Sequence, residues 1–248
     1  FKKWNEGLLN SYLVEITRDI FLAKDDDSDN YIVDLILDKA KQKGTGKWTS
    51  QSAMDFGVSI PTIDSAVSMR IISSFKEMRL KGEKIYGDFK INDQSISVED
   101  VEKSLLFSFI VSFAQGLSQL KTASKEKSYN LNFEEICKIW RGGCIIRAKL
   151  LENFMNAYRK DKNLDNLLFD DGISEIITKS ISASRKVSIY CINNQIPAQG
   201  LLSSISYFDS LKTGRLPMNL VQAQRDCFGE HTFERIDKDG TFHYDRWQ

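Results

Sequence analysis

Histidine, proline and cysteine are scarce in this chain, and each shortage excludes a class of site or structure. The 248 residues include two histidines, three prolines and four cysteines. Two histidines exclude a histidine-rich metal site, and so few prolines allow long uninterrupted helices. None of the cysteines forms a C-x-x-C pair and three lie in apolar surroundings, which favours buried reduced thiols over disulfides.

Net charge and long apolar runs are also lacking. Lys and Arg together number 34, as do Asp and Glu, so the formal net charge is zero. A neutral chain has no global attraction to nucleic acid, and we expect no nucleic-acid partner; any anion site must be local. The most apolar run, at 105–114, is shorter than the ~20 residues that span a bilayer, and we expect no membrane partner.

Apolar residues recur at three- and four-residue intervals along most of the chain, which predicts helices. "SVED" at 97–100 fits a capping box, and the helix that it opens is apolar on nearly every side, as buried helices are. Further helices are predicted over 31–44, over 66–79 after a turn at Pro61, and from 133 through the glycine pair 142–143 to 160. The pattern predicts an all-α, multi-helix fold, ending in a hairpin or extended tail around Asp239-Gly240.

The segment "QKGTGKW" at 42–48 combines backbone freedom, positive charge and a hydroxyl, which suggests an anion site. A Walker A loop is excluded because the glycines are two apart, Trp48 stands where Ser or Thr is required, and no strand precedes. A structural alternative is a helix C-cap, with Gly44 left-handed and solvated lysines in the last turn. Taken alone, the segment favours the C-cap, although a cap does not require the threonine, the second glycine or the tryptophan.

Four collinear stretches resemble the 6-phosphogluconate dehydrogenases, the decarboxylating enzymes of the pentose phosphate pathway. They are "FKKWN" at the start, "LILDKAKQKGTGKW" (35–48), "IWRGGCIIR" (139–147) and "FDSLKTGRLPMNLVQAQRDCFGEHTFE" (208–234). One departure lies in the second stretch, where Lys41 occupies a position that is usually Gly or Ala in the family.

The resemblance implies that the chain is the C-terminal helical domain of such an enzyme. The family's dinucleotide-binding domain, which holds NADP, and its catalytic lysine and glutamate would all precede Phe1. We therefore expect no catalytic or cofactor-binding residue in this chain, and no activity from the isolated fragment. The family oxidises and decarboxylates 6-phosphogluconate to ribulose 5-phosphate and CO2 without a metal, as a cytoplasmic homodimer.

The resemblance also implies the substrate-binding residues. Lys43, Thr45 and Arg70 are expected to face the substrate phosphate, with Arg225 and His231 entering from the other subunit. Residues 1–224 would form the substrate-binding and dimerisation domain, and residues 225–248 a tail that reaches the partner.

Without the resemblance, these positions have ordinary explanations. Arg70 and His231 would be solvated, and Arg225 beside Asp226 would form an exposed ion pair of little energetic value. Lys47 is expected to be solvated in either case. The alternative function is a non-catalytic helical oligomerisation module with a phosphate pocket, which a gene without an upstream dinucleotide-binding domain would favour.

Overall fold

The computed structural model describes residues 1–87, 91 and 95–247, and these are mostly helical. The α-helices in the described residues are α1 (Tyr12–Ile20), α2 (Ile32–Leu35), α3 (Thr45–Asp55), α4 (Pro61–Ser73), α5 (Lys76–Tyr86), α6 (Val98–Glu126), α7 (Phe133–Trp140), α8 (Leu150–Lys160), α9 (Asp171–Asn193), α10 (Gln199–Lys212) and α11 (Asn219–Gly229). Short 3-10 helices occur at Trp4–Glu6 and Leu167–Phe169, and two strands, β1 (Phe233–Glu234) and β2 (Thr241–Phe242), pair antiparallel. The prediction of an all-α fold is confirmed.

The chain divides into two compact units, Phe1–Tyr207 and Phe208–Gln248. The predicted boundary between residues 224 and 225 separates a substrate-binding domain from a tail that reaches the partner, not two compact units. That division stays a prediction. Gln248, the last residue of the predicted tail, lies outside the described residues.

Helix α6 forms the centre of the first unit, since every residue from 101 to 124 is buried or half-buried. Its capping residue is the predicted one: Ser97 Oγ accepts a hydrogen bond from the backbone N–H of Asp100 at 3.0 Å. Helix α6 packs against α9, and the buried side of α9 includes several small residues, which allow two helices to approach closely. These small residues are Ser180, Ala183, Ser184 and Ser188.

Two glutamines of α6 fix the positions of α3 and α4. The fully buried Gln115 accepts from the backbone N–H of Thr62 at 2.9 Å and donates to the Thr62 hydroxyl at 2.9 Å. One turn further on, Gln119 donates to the carbonyl of Thr49 at 3.0 Å. Because an unpaired buried amide is costly, these bonds hold both helices in register on α6.

The second unit ends in the predicted hairpin. Phe233 pairs with Phe242 and Glu234 with Thr241, and Gly240 in the connecting turn has φ +110°. Only glycine adopts that conformation without strain, which explains the glycine at this turn.

Three predicted helices have different bounds in the structure, and the first of them is the helix after Pro61. The helix predicted over 66–79 starts earlier, because Pro61 is its first residue rather than a preceding turn. It also breaks before α5, where the hydroxyls of Ser73 and Ser74 donate to carbonyls three residues back. Such local bonds compete with the helical ladder and favour a helix end.

The continuous helix predicted from 133 to 160 is wrong. Helix α7, capped by Asn132, ends at Trp140, and α8 begins only at Leu150. Gly143 between them has φ +71°, which a right-handed helix does not permit.

No helix in the described part of the chain combines the length and apolar character needed to cross a membrane.

Candidate functional site

The "KGTG" segment (residues 43–46) lies at the start of a helix, not at the end of one. Helix α2 stops at Leu35, residues 36–44 are irregular, and Thr45 is the first residue of α3. Gly44 is the N-cap with φ +100° and ψ −21°, so it is left-handed as predicted but at the opposite helix terminus. Both the predicted helix over 31–44 and the C-cap interpretation are therefore wrong.

Helix α4 holds the irregular segment in place. The guanidinium of Arg70 donates through Nη2 to the carbonyl of Lys41. The hydroxyl of Ser73 accepts from the backbone N–H of Ala40 at 2.9 Å. Backbone groups that a helix would have paired internally are paired with α4 instead, which accounts for the early end of α2.

Asp38 provides a second anchor, to α5. Its carboxylate accepts from Arg79 Nη1 at 2.7 Å and lies 2.8 Å from Lys76 Nζ. The hydrogen bond from Arg79 and then the one from Lys76 hold the pKa of Asp38 well below its ordinary value of 3.8. Arg79 also donates to the Asp38 carbonyl at 3.1 Å, so both the side chain and the backbone of Asp38 are fixed.

The first turn of α3 receives no cap from its N-cap residue. Gly44 provides no side-chain hydrogen bond there, and the first N–H groups of a helix have no partner within the helix. Gly46 lies close to α4, since a Cβ built on it would be 3.0 Å from Val67 Cγ2. A glycine at this position therefore lets α3 and α4 approach closely.

Three predicted site residues are brought to one region of the first unit. Lys43 and Thr45 flank Gly44, and both are exposed. Arg70, in the last turn of α4, contacts the backbone two residues before Lys43. Lys47 is exposed in the first turn of α3, as expected.

The other two predicted residues lie in the second unit. Arg225 is exposed near the end of α11, and its Nη1 donates to Gln222 Oε1 at 3.1 Å. His231 is exposed just beyond α11, with its ring edge-on to Phe228 at 5.9 Å between centroids. Both residues therefore lie at the end of α11, within one short stretch of chain.

Asp226 does not form the exposed ion pair with Arg225 that its neighbourhood in the sequence suggests. It is fully buried and accepts four hydrogen bonds. Its Oδ1 accepts from Thr232 N and His243 Nδ1, both at 2.9 Å, and its Oδ2 accepts from Tyr244 N at 3.1 Å and Trp247 Nε1 at 2.7 Å.

The charge of Asp226 is set by a balance of two effects. Burial raises its pKa, but the hydrogen bonds from His243, Trp247 and Tyr244 outweigh burial and lower the pKa to about 2. The carboxylate is therefore ionised at neutral pH and orders the end of the tail. In turn, the hydrogen bond that His243 donates to Asp226 raises the pKa of His243.

Comparison with known proteins identifies the family. Residues 1–247 match the family described as 6-phosphogluconate dehydrogenase, C-terminal domain. This chain belongs to that family.

Relatives of the domain are similar along its whole length. The 6-phosphogluconate dehydrogenase, decarboxylating, of Lactococcus lactis subsp. lactis (strain IL1403) is 48% identical over 248 residues, which cover 99% of this chain and 52% of that protein. The NADP(+)-dependent, decarboxylating 6-phosphogluconate dehydrogenase of Bacillus subtilis (strain 168) is 46% identical over 98% of this chain and 53% of its own length. The chain thus spans about half the length of the curated relatives it matches.

A solved structure has the same fold. The 6-phosphogluconate dehydrogenase of Plasmodium falciparum, studied as the apo form and in complexes with NADP+ and with 6-phosphogluconate, superposes with a TM-score of 0.94. It is 43% identical, and the match covers 98% of this chain and 53% of that one. Membership of the 6-phosphogluconate dehydrogenase family, predicted from four motifs, is confirmed.

Other polar groups of this family member have structural roles. All four cysteines are free thiols, but only Cys137 and Cys191 are buried; Cys144 is half-buried and Cys227 is exposed, so the prediction of buried thiols is wrong for these two. Burial raises the pKa of the Cys137 thiol to about 12. The described residues contain no group of three or more His, Cys, Asp or Glu side chains arranged to hold a metal ion. Arg147, in the glycine-pair motif, pairs with Glu15 at 2.7 Å and so connects that motif to α1.

The sequence did not indicate that Gln222 and Asp226 hold the chain around the predicted site residues Arg225 and His231. The contact between Gln222 and Arg225 could have been predicted, because residues three apart on a helix lie next to each other. Asp226 offered no such signal, since its side-chain partners His243 and Trp247 are 17 and 21 residues away.

Proposed function

We propose that this chain is the substrate-binding half of a decarboxylating 6-phosphogluconate dehydrogenase, and that the "KGTG" segment binds the substrate's phosphate. One observation carries the proposal: Lys43 and Thr45 flank a left-handed glycine at the N-terminus of α3, and Arg70 contacts the backbone beside them. Family membership supports the same substrate class.

The chemistry of these groups suits a phosphate dianion. The N–H groups of a helix N-terminus point toward an anion, and the helix dipole favours negative charge there. Arg70 offers a planar fork and Lys43 a mobile point charge, so the two cations meet different phosphate oxygens. The Thr45 hydroxyl adds a neutral donor.

We also propose that Arg225 and His231 complete this site from the partner subunit of a homodimer. Two-fold symmetry makes such an exchange reciprocal, so each 225–248 tail would complete the other chain's pocket. His231 is suited to phosphate binding rather than to proton abstraction, because its ring can donate a hydrogen bond in either protonation state.

The coenzyme and the catalytic groups belong to the rest of the proposed enzyme. The Bacillus subtilis relative is named as NADP(+)-dependent and the Plasmodium falciparum structure includes NADP+; we propose NADP here as well, bound by an upstream domain. In that part, NADP would accept the hydride that 6-phosphogluconate loses at C3, and a lysine base would take the hydroxyl proton. The resulting keto acid would release CO2, and a glutamate acid would protonate the enediol to give ribulose 5-phosphate. The new ketone accepts the electrons of the broken C–C bond, so the step needs no metal. We propose a cytoplasmic location on the resemblance alone.

The experiment that tests the proposed site is calorimetric titration of 6-phosphogluconate into the dimeric enzyme that contains this chain and its coenzyme domain. Losing a charge-assisted hydrogen bond costs about 1.5–3 kcal/mol, so Lys43→Met should weaken binding by about tenfold or more. Affinity for NADP should not change. Lys47→Met, four residues away and exposed, is the matched control and should bind substrate normally.

Two results would contradict the proposal. Unchanged substrate affinity in Lys43→Met would return Lys43 to a solvated role. A protein that dimerises and binds inorganic phosphate but never 6-phosphogluconate would instead support the non-catalytic oligomerisation module.

A further inference from the structure

Gln222 contacts both of the tail residues assigned to the phosphate site. It is half-buried on α11, one turn before Arg225. Its Oε1 accepts from Arg225 Nη1 at 3.1 Å, and its Nε2 donates to the carbonyl of Thr232, the residue after His231. One side-chain amide therefore connects the Arg225 guanidinium to the backbone beside His231.

The backbone on either side of His231 needs this support. Glu230 has φ 50° and Thr232 has φ 58°, so two non-glycine residues are left-handed around one histidine. Such residues persist only where their surroundings hold them. Here α11 does so: the Glu230 N–H donates to the Asp226 carbonyl at 2.9 Å, and the Thr232 N–H donates to Asp226 Oδ1 at 2.9 Å.

Asp226 and Gln222 each form a hydrogen bond with the backbone of Thr232. The carboxylate of Asp226 accepts from its N–H, and the amide of Gln222 donates to its carbonyl. Both backbone groups of Thr232 are bound to side chains of α11, which fixes the direction in which the chain presents His231.

We propose that Gln222 is a positioning residue that holds Arg225 and His231 in a fixed relation, so that both reach a single phosphate. This inference rests on the proposed function.

A glutamine is required at position 222 because its side chain is neutral and can both accept and donate a hydrogen bond. It accepts from Arg225 while it donates to Thr232, and it leaves the positive charge of Arg225 available for the ligand. A guanidinium has five N–H donors, so one bond to Gln222 leaves others for phosphate oxygens. A glutamate at this position would accept from Arg225 as well, but it would neutralise the charge and lose the donor to Thr232.

The test uses steady-state kinetics of the full dimeric enzyme. Gln222→Met keeps the length of the side chain and removes both polar contacts, and it should raise KM for 6-phosphogluconate by about tenfold, the factor expected for a charge-assisted contact. KM for NADP and kcat should stay close to the unmodified values. Gln224→Met is the matched control, since Gln224 is exposed on the same helix, and its KM should not change.

A second variant guards against simple loss of folding. Gln222→Glu keeps the size and polarity of the side chain, and it should also raise KM for 6-phosphogluconate because it neutralises Arg225. An unchanged KM in this variant would overturn the proposal.

A double-mutant cycle separates positioning from general stabilisation. If Gln222 acts through Arg225, adding Gln222→Met to Arg225→Met should raise KM by clearly less than the product of the single effects. Independent, multiplicative effects would overturn the proposed role.

The direct variants distinguish failure of this inference from failure of the proposed function. If Arg225→Met and His231→Gln both leave KM for 6-phosphogluconate unchanged, the tail does not bind the phosphate and the proposed site itself fails. If both raise KM while Gln222→Met behaves like Gln224→Met, only the positioning role of Gln222 is overturned.

Discussion

At the scale of single residues, Gly44 carries the backbone conformation on which the proposed phosphate site depends. Its φ of +100° starts α3, and no neighbouring atom lies within 4 Å of a Cβ built on it. The restriction on this residue is therefore conformational rather than a matter of space.

Gly44→Ala should destabilise the helical domain by roughly 1–2 kcal/mol, the cost of a left-handed L-residue. Gly82→Ala is the matched control, because Gly82 lies inside α5, also has nothing within 4 Å, and has no left-handed φ. That control should stabilise the domain by about 0.5–1 kcal/mol. Urea unfolding of both variants measures the difference, and equal effects would show that Gly44 is not under conformational constraint.

The lack of a side chain at Gly229 leaves room for the ring of His231, a predicted phosphate-binding residue. A Cβ at Gly229 would lie 3.0 Å from both Cδ2 and Nε2 of the His231 ring. We expect Gly229→Ala to turn the ring and to raise KM for 6-phosphogluconate in the full enzyme, with KM for NADP unchanged. Steady-state kinetics checks this, and an unaltered substrate KM would show that the ring orientation is unimportant.

The residue types in a motif predict the chemistry of a site, but they do not predict which distant residues position those side chains. Lys43, Thr45 and Arg70 were predicted from the family resemblance, since Arg70 alone would be interpreted as a solvated charge, and the structure brings all three to one region. The burial of Asp226 was not predictable, because it depends on a hairpin that returns His243 and Trp247 to α11.

At the scale of elements, the segment between α2 and α3 shows where periodicity misleads. The apolar spacing of residues 31–37 suits a helix, and nothing within the segment ends it before Gly44. The partners that divert it are distant: Arg70, Ser73 and Arg79 bind its backbone from 29, 33 and 41 residues away. Local pattern predicts α6 correctly, because its capping residue Ser97 precedes a long apolar run.

The tail should show a stability that depends on pH. The pKa of Asp226 is lowered from 3.8 to about 2. Its contribution to the stability of the tail is therefore present above pH 3.8 and is lost as pH falls through about 2. The pKa of His243 is raised above 6.5 by Asp226, with smaller contributions from Asp245 and Glu230. The contribution of His243 to the stability of the tail is present below pH 6.5 and is lost as pH rises through the raised pKa of His243.

Amide hydrogen exchange of Thr232 and Tyr244, corrected for intrinsic rates, should therefore show greatest protection between pH 3.8 and 6.5. His243→Gln should remove the decline on the alkaline side. Protection that is constant across the titration of His243 would contradict the proposed role of the Asp226–His243 pair.

At the scale of the whole molecule, the chain is expected to bind 6-phosphogluconate but not to catalyse its oxidation. The proposed function assigns the coenzyme site, the base and the acid to the upstream part of the enzyme. Purified chain 1–248 should therefore not reduce NADP in the presence of 6-phosphogluconate. An absorbance assay for NADPH checks this, and turnover in a sample free of contaminating enzyme would contradict the assignment.

The central claim is a phosphate site that is shared between subunits, and subunit complementation in the full enzyme tests it most directly. Inactive Arg70→Met and inactive Arg225→Met dimers are mixed and allowed to exchange, and mass spectrometry confirms the mixed dimers. With reciprocal tails, a mixed dimer has one pocket with both arginines and one with neither, so about half of its sites should regain activity. If each tail completes its own chain's pocket, every site keeps one defect. Confirmed exchange without any recovered activity would contradict the shared site.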